Sequence, residues 1–366
     1  MEVERYIEIA APKATFCQMS NTPLYLDHAA TAPLLPEARD ALLEGLALWA
    51  NPSSPHRQGR AARAALEDAR ERVKRALGWE GELIFTSGAS EALAIGLTRC
   101  HLPLEAVSAV EHEAVLRHAD TARKIAVDAE GLVHDAAFPG LVAIQHANNE
   151  TGVIQLIDQL AAQAREAGGL LLADCAQTAG KLALPDADMI AISAHKFGGS
   201  IGIGALLVKD WAMLRPSGGQ ERGYRAGTEN LPGALAMAAA LEFGQGWTEG
   251  AARLRQKLEL ALTAAGAEVV SPDAPRLPTI GAYRMPGVSS AVQLIRFDGM
   301  GIAVSAGSAC SSGSLRGSHV LEAMGVDSKN SSEIIRISIG KETLESDVER
   351  FVGAWREVAG RGRAVA

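Results

Sequence analysis

Short apolar runs alternate with longer segments of helical periodicity along most of the chain, and this alternation restricts the possible fold more than any other feature. The apolar runs are Glu82–Thr86, Ala106–Val110, Leu141–Gln145, Leu170–Ala173, Met189–Ser193 and Gly204–Val208. Helical patterns lie between several of them, for example over Ile157–Ala167. Buried strands that are separated by helices predict an α/β fold in which a mostly parallel sheet is covered by helices on both faces.

The length of the chain predicts two domains. Its 366 residues exceed the ~250–300 at which a single hydrophobic core stops growing. The sheet pattern ends before the glycine-containing stretch Gly244–Gly250, which marks a plausible boundary. We therefore expect a large domain at 34–245 and a smaller α+β domain at 246–366, with the segment from about 19 to 33 packed on the smaller one.

Composition excludes several classes of function. The formal net charge of −8 argues against general binding to nucleic acid or to an anionic membrane surface, and no run approaches the ~20 apolar residues of a membrane helix. The four cysteines are too few for a disulfide scaffold, which favours a reducing, cytoplasmic compartment. Residues 1–18 lack the apolar region of a secretory signal, and Met19 is a second possible start.

A turn of small residues follows the first apolar run. Ser87, Gly88, Ala89 and Ser90 lead from the strand at 82–86 into a helical pattern, and the N-terminus of a helix offers free N–H groups to an anion such as phosphate. A tight turn without a ligand is the commoner explanation for such a sequence. The segment matches neither GxGxxG nor a P-loop, so it gives no support for a dinucleotide or nucleoside triphosphate.

An acid and an amine follow two successive predicted strands. Asp174 ends the run 170–173, and Lys196 follows the run 189–193, at the edge where open α/β sheets bind ligands. Lys196 could be an ordinary surface lysine before a loop. Pyridoxal 5'-phosphate, however, requires both an amine that forms a Schiff base and an acid beside its pyridine nitrogen. Together with the turn at 87–90, the pair favours a pyridoxal phosphate site.

Motifs along nearly the whole chain from about residue 24 resemble those of one family. They are YLDHAATAP (25–33), NPSSPHRQGR (51–60), TSGASEA (86–92), HANNETGV (146–153), DCAQTAGK (174–181), SAHKFGG (193–199), ERGYRAGTEN (221–230), SAGSACSSGS (305–314) and IIRISIG (334–340). Their kind and order resemble cysteine desulfurases of the NifS/IscS type, class V members of the pyridoxal-phosphate aminotransferase superfamily. The resemblance implies the fold type I architecture of aspartate aminotransferase.

The resemblance also implies a set of cofactor-binding residues. Lys196 would bind the cofactor covalently, Asp174 would pair with its ring nitrogen, and Gln177 would contact its ring hydroxyl. His112 would stack on the ring and move protons. The phosphate would be held by Ala89, Ser90, Ser193 and His195. Thr228 would reach a phosphate in the neighbouring subunit, so the resemblance implies a homodimer.

The remaining implied roles concern the substrate, L-cysteine. Arg336 would clamp its α-carboxylate, for which a guanidinium fork is well matched, and Asn149 would lie near that carboxylate and the ring hydroxyl. Cys310 lies among small residues, a setting that favours a reactive thiol over a buried one. It would take the substrate sulfur as a persulfide and pass it to an acceptor protein for iron–sulfur cluster assembly or tRNA thiolation. Cys100 and Cys175 are expected to be buried.

Three alternatives remain open at this stage. Selenocysteine lyase activity would use the same residues, an aminotransferase or decarboxylase of the same fold would not need Cys310, and a scaffold subunit of a sulfur-transfer complex would bind no cofactor. The chain also departs from the family pattern at His28, where asparagine is common, and at 199–202, where the usual Pro-Lys-Gly is replaced. No metal site is predicted, and the sequence does not identify the sulfur acceptor.

Overall fold

The buried apolar runs form one mixed, mostly parallel sheet in the computed structural model, which describes residues 23–307 and 317–363. In spatial order its strands are Glu82–Thr86 (β2), Gly204–Val208 (β8), Met189–Ser193 (β7), Leu170–Asp174 (β6), Leu141–Gln145 (β5), Leu104–Ser108 (β3) and Arg123–Ile125 (β4). The strands from β7 to β4 pair in parallel, whereas β8 pairs antiparallel with both β7 and β2. The predicted α/β fold class is therefore confirmed.

Helices cover both faces of this sheet. Successive residues of a strand point to opposite faces, so Ile190 and Ile192 join one hydrophobic cluster while Met189 and Ala191 join another. The described helices are Pro36–Ala47 (α1), Arg57–Leu77 (α2), Ala89–Arg99 (α3), Glu113–Leu116 (α4), Ile157–Glu166 (α5), Leu231–Phe243 (α6), Thr248–Ala264 (α7), Ser290–Gly299 (α8), His319–Ala323 (α9), Ser328–Ser331 (α10) and Glu345–Arg363 (α11). None of these helices is long and apolar enough to cross a membrane.

Two smaller sheets involve the first and last parts of the described chain. Ile280–Arg284 (β10) pairs antiparallel with Ile334–Ser338 (β12) and Glu268–Val269 (β9), and Leu24–Tyr25 (β1) pairs in parallel with Ile302–Ala303 (β11). A third hydrophobic cluster joins Leu24 and Leu26 to side chains of α7, α8 and α11. The division into domains at 34–245 and 246–366 stays a prediction.

Two strands differ from their predicted bounds: β6 continues one residue further, to Asp174, and β3 lies over Leu104–Ser108. The apolar pattern predicts a strand over 106–110, but β3 ends at Ser108. The Ser108 hydroxyl accepts a hydrogen bond from the Val110 N–H at 3.2 Å, and the Val110 carbonyl accepts from the side chains of Gln145 and Asn148. A local turn therefore replaces the last part of the expected strand, and it directs the following residues toward the carboxyl edge of the sheet.

A buried ion pair joins α2 to the segment after β8. The Arg70 guanidinium donates to both carboxylate oxygens of Glu221 at 2.7 and 3.0 Å, and it also donates to the Leu83 carbonyl. Glu221 accepts a further hydrogen bond from the Phe85 N–H. Both charged side chains are almost fully buried. Loss of one partner would therefore leave the charge of the other buried and unpaired.

Removal of Arg70 is expected to be costly for stability. An Arg70→Ala variant leaves the Glu221 carboxylate buried without its partner, a change that costs about 3–5 kcal/mol. We expect a clearly lower urea midpoint, measured by circular dichroism. The control is Arg39→Ala, because Arg39 pairs with Asp40 on the surface and such pairs contribute about 0–1 kcal/mol. Equal midpoints for the two variants would contradict this prediction.

Candidate active site

A cavity of about 350 Å³ lies at the carboxyl ends of the parallel strands. It brings together nearly all of the residues that the sequence motifs single out. The members of that set that line it are Ala89, Ser90, His112, Asn149, Asp174, Gln177, Ser193, His195, Lys196 and Arg336. They come from separate strand ends and loops, and the fold brings them to one cavity.

The turn between β2 and α3, which the sequence predicts to bind a phosphate, forms one side of the cavity. Ala89 and Ser90 form the first turn of α3, where backbone N–H groups have no partner within the helix. The Ser87 N–H is engaged by the Glu91 carboxylate at 2.5 Å, and Glu91 is in turn held by Arg225. The turn is thus fixed by Glu91 and Arg225, and Ala89 and Ser90 line the cavity.

Close backbone approach shapes the same side. A Cβ atom on Gly204 would lie 2.6 Å from the Gly88 Cα and 2.5 Å from the Ile192 carbonyl oxygen, so the strand β8 requires glycine there. This approach brings Gly88 next to the end of β7, where Ser193 and His195 line the cavity. Burial, together with Lys196, lowers the pKa of His195 to about 4, so its ring is neutral near pH 7.

Asp174 and Gln177 lie on the floor of the cavity. The Asp174 Oδ1 accepts from the Ala176 N–H at 2.9 Å, and burial raises the pKa of Asp174, an effect that His112 and Lys196 oppose. The Gln177 Nε2 donates to the Ala29 carbonyl at 3.0 Å, while its buried Oε1 has no hydrogen-bond partner among the described residues. A buried amide oxygen without a partner is costly, so this part of the cavity fits a polar ligand.

Lys196 enters the cavity from the short 3-10 turn Ala194–Lys196 that follows β7. Its Nζ donates to the carbonyl oxygens of Ala29 at 2.6 Å and Ala30 at 2.9 Å. The segment at 25–33 therefore forms a wall beside the amine. An amine that is held in place at the edge of a cavity with a buried carboxylate suits the carbonyl chemistry expected of Lys196.

His112 lies after β3 and caps the short helix α4. Its Nδ1 accepts the Ala114 N–H at 3.1 Å, so the hydrogen of the neutral ring is on Nε2. Burial lowers the pKa of His112, although Asp174 acts in the opposite direction. The cap hydrogen bond fixes the ring beside the cavity and leaves the Nε2–H as its free donor.

Arg336 is buried in β12, and Asp27 and Asn149 hold its guanidinium. Its Nη2 donates to the Asp27 Oδ1 at 2.6 Å, and its Nη1 donates to the Asn149 carbonyl at 2.8 Å. The buried Nε has no partner among residues 23–307 and 317–363. The guanidinium is therefore fixed in direction and retains a donor for an additional acceptor.

Among the predicted site residues that the structure describes, Thr228 is not brought to the cavity. Thr228 is exposed and does not line it; its expected contact with a neighbouring subunit stays a prediction. Cys310 lies outside the described residues. Cys100 and Cys175, by contrast, are free and buried, as expected.

Sequence reasoning missed Asp27 and Lys181. Asp27 lies in the motif at 25–33 and Lys181 in the motif at 174–181. Neither motif indicates which groups these two side chains contact. Asp27 orients Arg336. Lys181 donates to the Gln177 carbonyl at 3.0 Å, and burial with the nearby Lys196 lowers its pKa to about 7. The signal that could have identified them is the presence of a charged residue within each of these two motifs.

The geometry of the cavity fits pyridoxal phosphate. The helix N-terminus at 89–90 suits its phosphate, and Asp174 suits its ring nitrogen. The buried Oε1 of Gln177, which has no partner among the described residues, can accept a hydrogen bond from the ring hydroxyl while Nε2 keeps its bond to the Ala29 carbonyl. Lys196 supplies the amine that the cofactor requires.

Comparison with known proteins identifies the family to which the chain is similar. Residues 24–351 match the family model described as aminotransferase class-V. A cysteine desulfurase of Cereibacter sphaeroides is 35% identical over an alignment of 378 positions, which covers 93% of this chain and 97% of that protein. A cysteine desulfurase IscS of Dictyoglomus turgidum is 34% identical over an alignment of 360 positions, which covers 89% of this chain and 91% of the relative.

Solved structures agree with the sequence comparison. A NifS-like protein from Rickettsia africae superposes with a TM-score of 0.84 at 28% identity, covering 92% of this chain and 99% of that one. A further structure, described as SspA in complex with cysteine, has a TM-score of 0.74 at 29% identity and covers 88% of this chain and 100% of the other. With its sheet order, its cavity and its match over residues 24–351, the chain belongs to the aminotransferase class-V family.

Proposed function

We propose that the protein is an L-cysteine desulfurase that depends on pyridoxal 5'-phosphate. The observation that carries the proposal is the convergence of Lys196, Asp174, His112 and Arg336 on one cavity. The first two suit the cofactor, and Arg336 suits the carboxylate of an amino acid. Relatives that carry the name cysteine desulfurase support the choice of reaction, as does the neighbour described in complex with cysteine.

When bound, pyridoxal phosphate withdraws electrons from the α-carbon of an attached amino acid. The described residues account for the remaining requirements. Asp174 stabilises positive charge at the floor of the cavity, and Arg336 orients the substrate through its carboxylate. The amine of Lys196 is placed to take the α-proton, and the Nε2 of His112 is available to hold a proton close to the same atoms.

The sulfur step assigns the nucleophile to Cys310. Its thiolate attacks the substrate sulfur, an S–S bond forms, and the bond between sulfur and Cβ breaks. The electron pair of that bond remains with Cβ, which takes up one proton in place of the one that the Cys310 thiol lost. The proton that Lys196 removed returns to the α-carbon. The products are L-alanine and a persulfide on Cys310, so atoms and electrons balance without an external oxidant or reductant.

We also propose that the protein works as a homodimer in which Thr228 contributes to the phosphate site of the neighbouring subunit. Thr228 is exposed, and Ile201, at the rim of the cavity, is 79% exposed. A large apolar side chain at the rim is consistent with coverage by another chain. Further partners would be sulfur-acceptor or iron–sulfur scaffold proteins in a cytoplasmic setting.

The experiment that tests the function compares two substrates. The purified protein is loaded with pyridoxal phosphate and given L-cysteine or L-selenocysteine, and alanine is quantified while Cys310 is followed by mass spectrometry. We expect alanine together with one added sulfur atom on Cys310. Release of selenide without any reaction of cysteine would indicate a selenocysteine lyase, and a keto acid product would indicate an aminotransferase. Failure to bind the cofactor would favour the scaffold alternative.

Replacement of Asp174 by asparagine is expected to lower kcat by about 10²–10³-fold, because a positioned charge in a buried site contributes that much. The side chain keeps its size, so the cavity keeps its shape. We expect KM for cysteine to change much less than kcat, in steady-state assays of alanine. An exposed control is Asp40→Asn. A variant at position 174 with wild-type kcat would contradict the role of the carboxylate.

A further inference from the structure

A buried carboxyl group outside the chemistry described above lies between two residues of the C-terminal part. The Glu150 Oε2 accepts a hydrogen bond from the Ser318 hydroxyl at 2.5 Å. A Cβ atom on Gly307 would lie 2.1 Å from the same oxygen and 3.5 Å from the Ser318 Cβ. Gly307 and Ser318 are 11 positions apart, and Cys310 is in the interval between them. Both ends of this interval therefore meet on a single carboxyl group.

Glu150 is itself fixed relative to the cavity. Its N–H donates to the Asn148 side chain at 2.8 Å, and Asn148 donates to the Val110 carbonyl. The preceding residue, Asn149, lines the cavity, and its carbonyl accepts from Arg336. The position of the Glu150 carboxyl group is thus set by the same turn that helps to orient the guanidinium.

A second contact holds the far end of the interval. The Ser318 hydroxyl also accepts the Leu321 N–H at 3.1 Å and so caps α9. The ring of His319 is within 2.9 Å of the Glu111 carbonyl, where its Nε2 donates. Glu111 directly precedes His112. The first residue of α9 therefore contacts the backbone next to the cavity histidine.

A carboxyl group in such a place is unfavourable by itself. Glu150 is only 6% exposed, and burial raises its pKa, although the hydrogen bond from Ser318 and the charges of His319 and Arg336 act in the opposite direction. Burial of a carboxyl group costs free energy unless its partners compensate. None of the steps assigned to the cavity uses this carboxyl group. Its contacts with Ser318 and Gly307 indicate a structural role instead.

We infer that Glu150 is a positioning residue for sulfur transfer, in which its carboxyl group accepts a hydrogen bond from Ser318, packs against Gly307 and so positions both ends of the interval that carries Cys310. The inference rests on the proposed function, because it assigns Glu150 a role in delivering that thiol. It makes no claim on substrate binding, which belongs to Arg336 and the cofactor residues. Loss of the anchor should therefore slow sulfur transfer and leave binding of cysteine nearly unchanged.

The test uses the holoenzyme in single-turnover experiments. Persulfide on Cys310 is followed by quenched-flow mass spectrometry, and binding of cysteine is followed by the absorbance of the bound cofactor. For Glu150→Ala and for Ser318→Ala we expect transfer to be about 10–100-fold slower, since misplacement by about 1 Å costs up to about 10²-fold. The apparent Kd for cysteine should stay within about threefold. Glu150→Gln retains an oxygen that accepts from Ser318, so it should be close to wild type.

Matched variants separate positioning from a general loss of structure. Ser289 caps α8 through the Val292 N–H and has no contact with Glu150, so Ser289→Ala removes a similar cap elsewhere and should transfer sulfur normally. Ser318→Thr keeps the hydroxyl and should restore the rate. If Glu150→Ala does not fold, Ser318→Ala and Gly307→Ala, whose methyl group would displace the carboxyl group, provide the same test.

The outcomes distinguish this inference from the proposed function. Wild-type rates of persulfide formation in Ser318→Ala and Gly307→Ala would overturn the role of Glu150 and leave the desulfurase assignment intact. An equal slowing in Ser289→Ala would also overturn it, because the effect would then not depend on the Glu150 contact. Absence of any persulfide in the wild-type holoenzyme would refute the proposed function and this inference together.

Discussion

Replacement of Lys196 by alanine is expected to lower alanine production from L-cysteine by at least about 10⁴-fold, the upper end of what a general base contributes. The amine has two expected roles, as the covalent attachment of the cofactor and as the base for the α-proton. Its place beside Asp174 in the cavity agrees with both. The visible absorbance of the purified protein should change at the same time, because the cofactor would be held only by contacts of the phosphate and ring.

The control for this variant is Lys257→Ala, since Lys257 is half exposed and pairs with Glu345 on the surface. We expect normal activity and normal absorbance from it. Absorbance is measured on gel-filtered protein that was first incubated with pyridoxal phosphate. If Lys196→Ala retained both the visible band and more than a small fraction of the activity, the covalent role of Lys196 would be wrong.

Replacement of Cys310 by serine is expected to abolish persulfide formation and to reduce alanine production by on the order of 10³-fold or more, as is typical for loss of a nucleophile. Serine is similar in size but is a much poorer nucleophile toward sulfur. Binding of cysteine should persist, because Arg336 and the cofactor residues are unchanged. Binding of cysteine is measured by titration of the cofactor absorbance. Persulfide formation is measured by mass spectrometry, and alanine is quantified in the same reaction.

The paired control is Cys175→Ser. Cys175 is fully buried beside Asp174, and burial raises the pKa of its thiol, so it is not available as a nucleophile at neutral pH. Sulfur transfer should therefore continue in a folded Cys175→Ser protein. Persulfide formation at full rate in Cys310→Ser would show that another thiol performs the step.

Much of the fold was predictable because its signals are local. Four strands, at 82–86, 141–145, 189–193 and 204–208, have the predicted bounds. Burial on both faces requires continuous apolar residues, and that requirement is visible in a short window. β3 ends two residues earlier than predicted, because a serine side chain and the amide of Gln145 compete for the backbone of its last residues. The contact from Gln145 depends on a neighbouring strand and has no signal in the local sequence.

The candidate site was predictable to the extent that its residues follow strands or helix starts. Asp174 and Lys196 come directly after apolar runs, and the carboxyl ends of parallel strands meet at one edge of a sheet. Their convergence follows from the topology alone. The family motifs supplied the remaining residues, including Asn149 and Arg336, whose surroundings in the chain give no independent indication of a ligand.

The alternation of apolar runs and helices, the α/β class and the chemistry of the acid and amine at the strand ends were thus already determined by the amino-acid sequence. Only the tertiary structure placed Asp27 on Arg336, 309 positions later in the chain, and Glu150 on Ser318, 168 positions later. The physical reason is that periodicity reports which side of an element is buried, whereas the partner of a buried charge depends on how distant elements pack. The roles proposed for Asp27 and Glu150 follow from that packing.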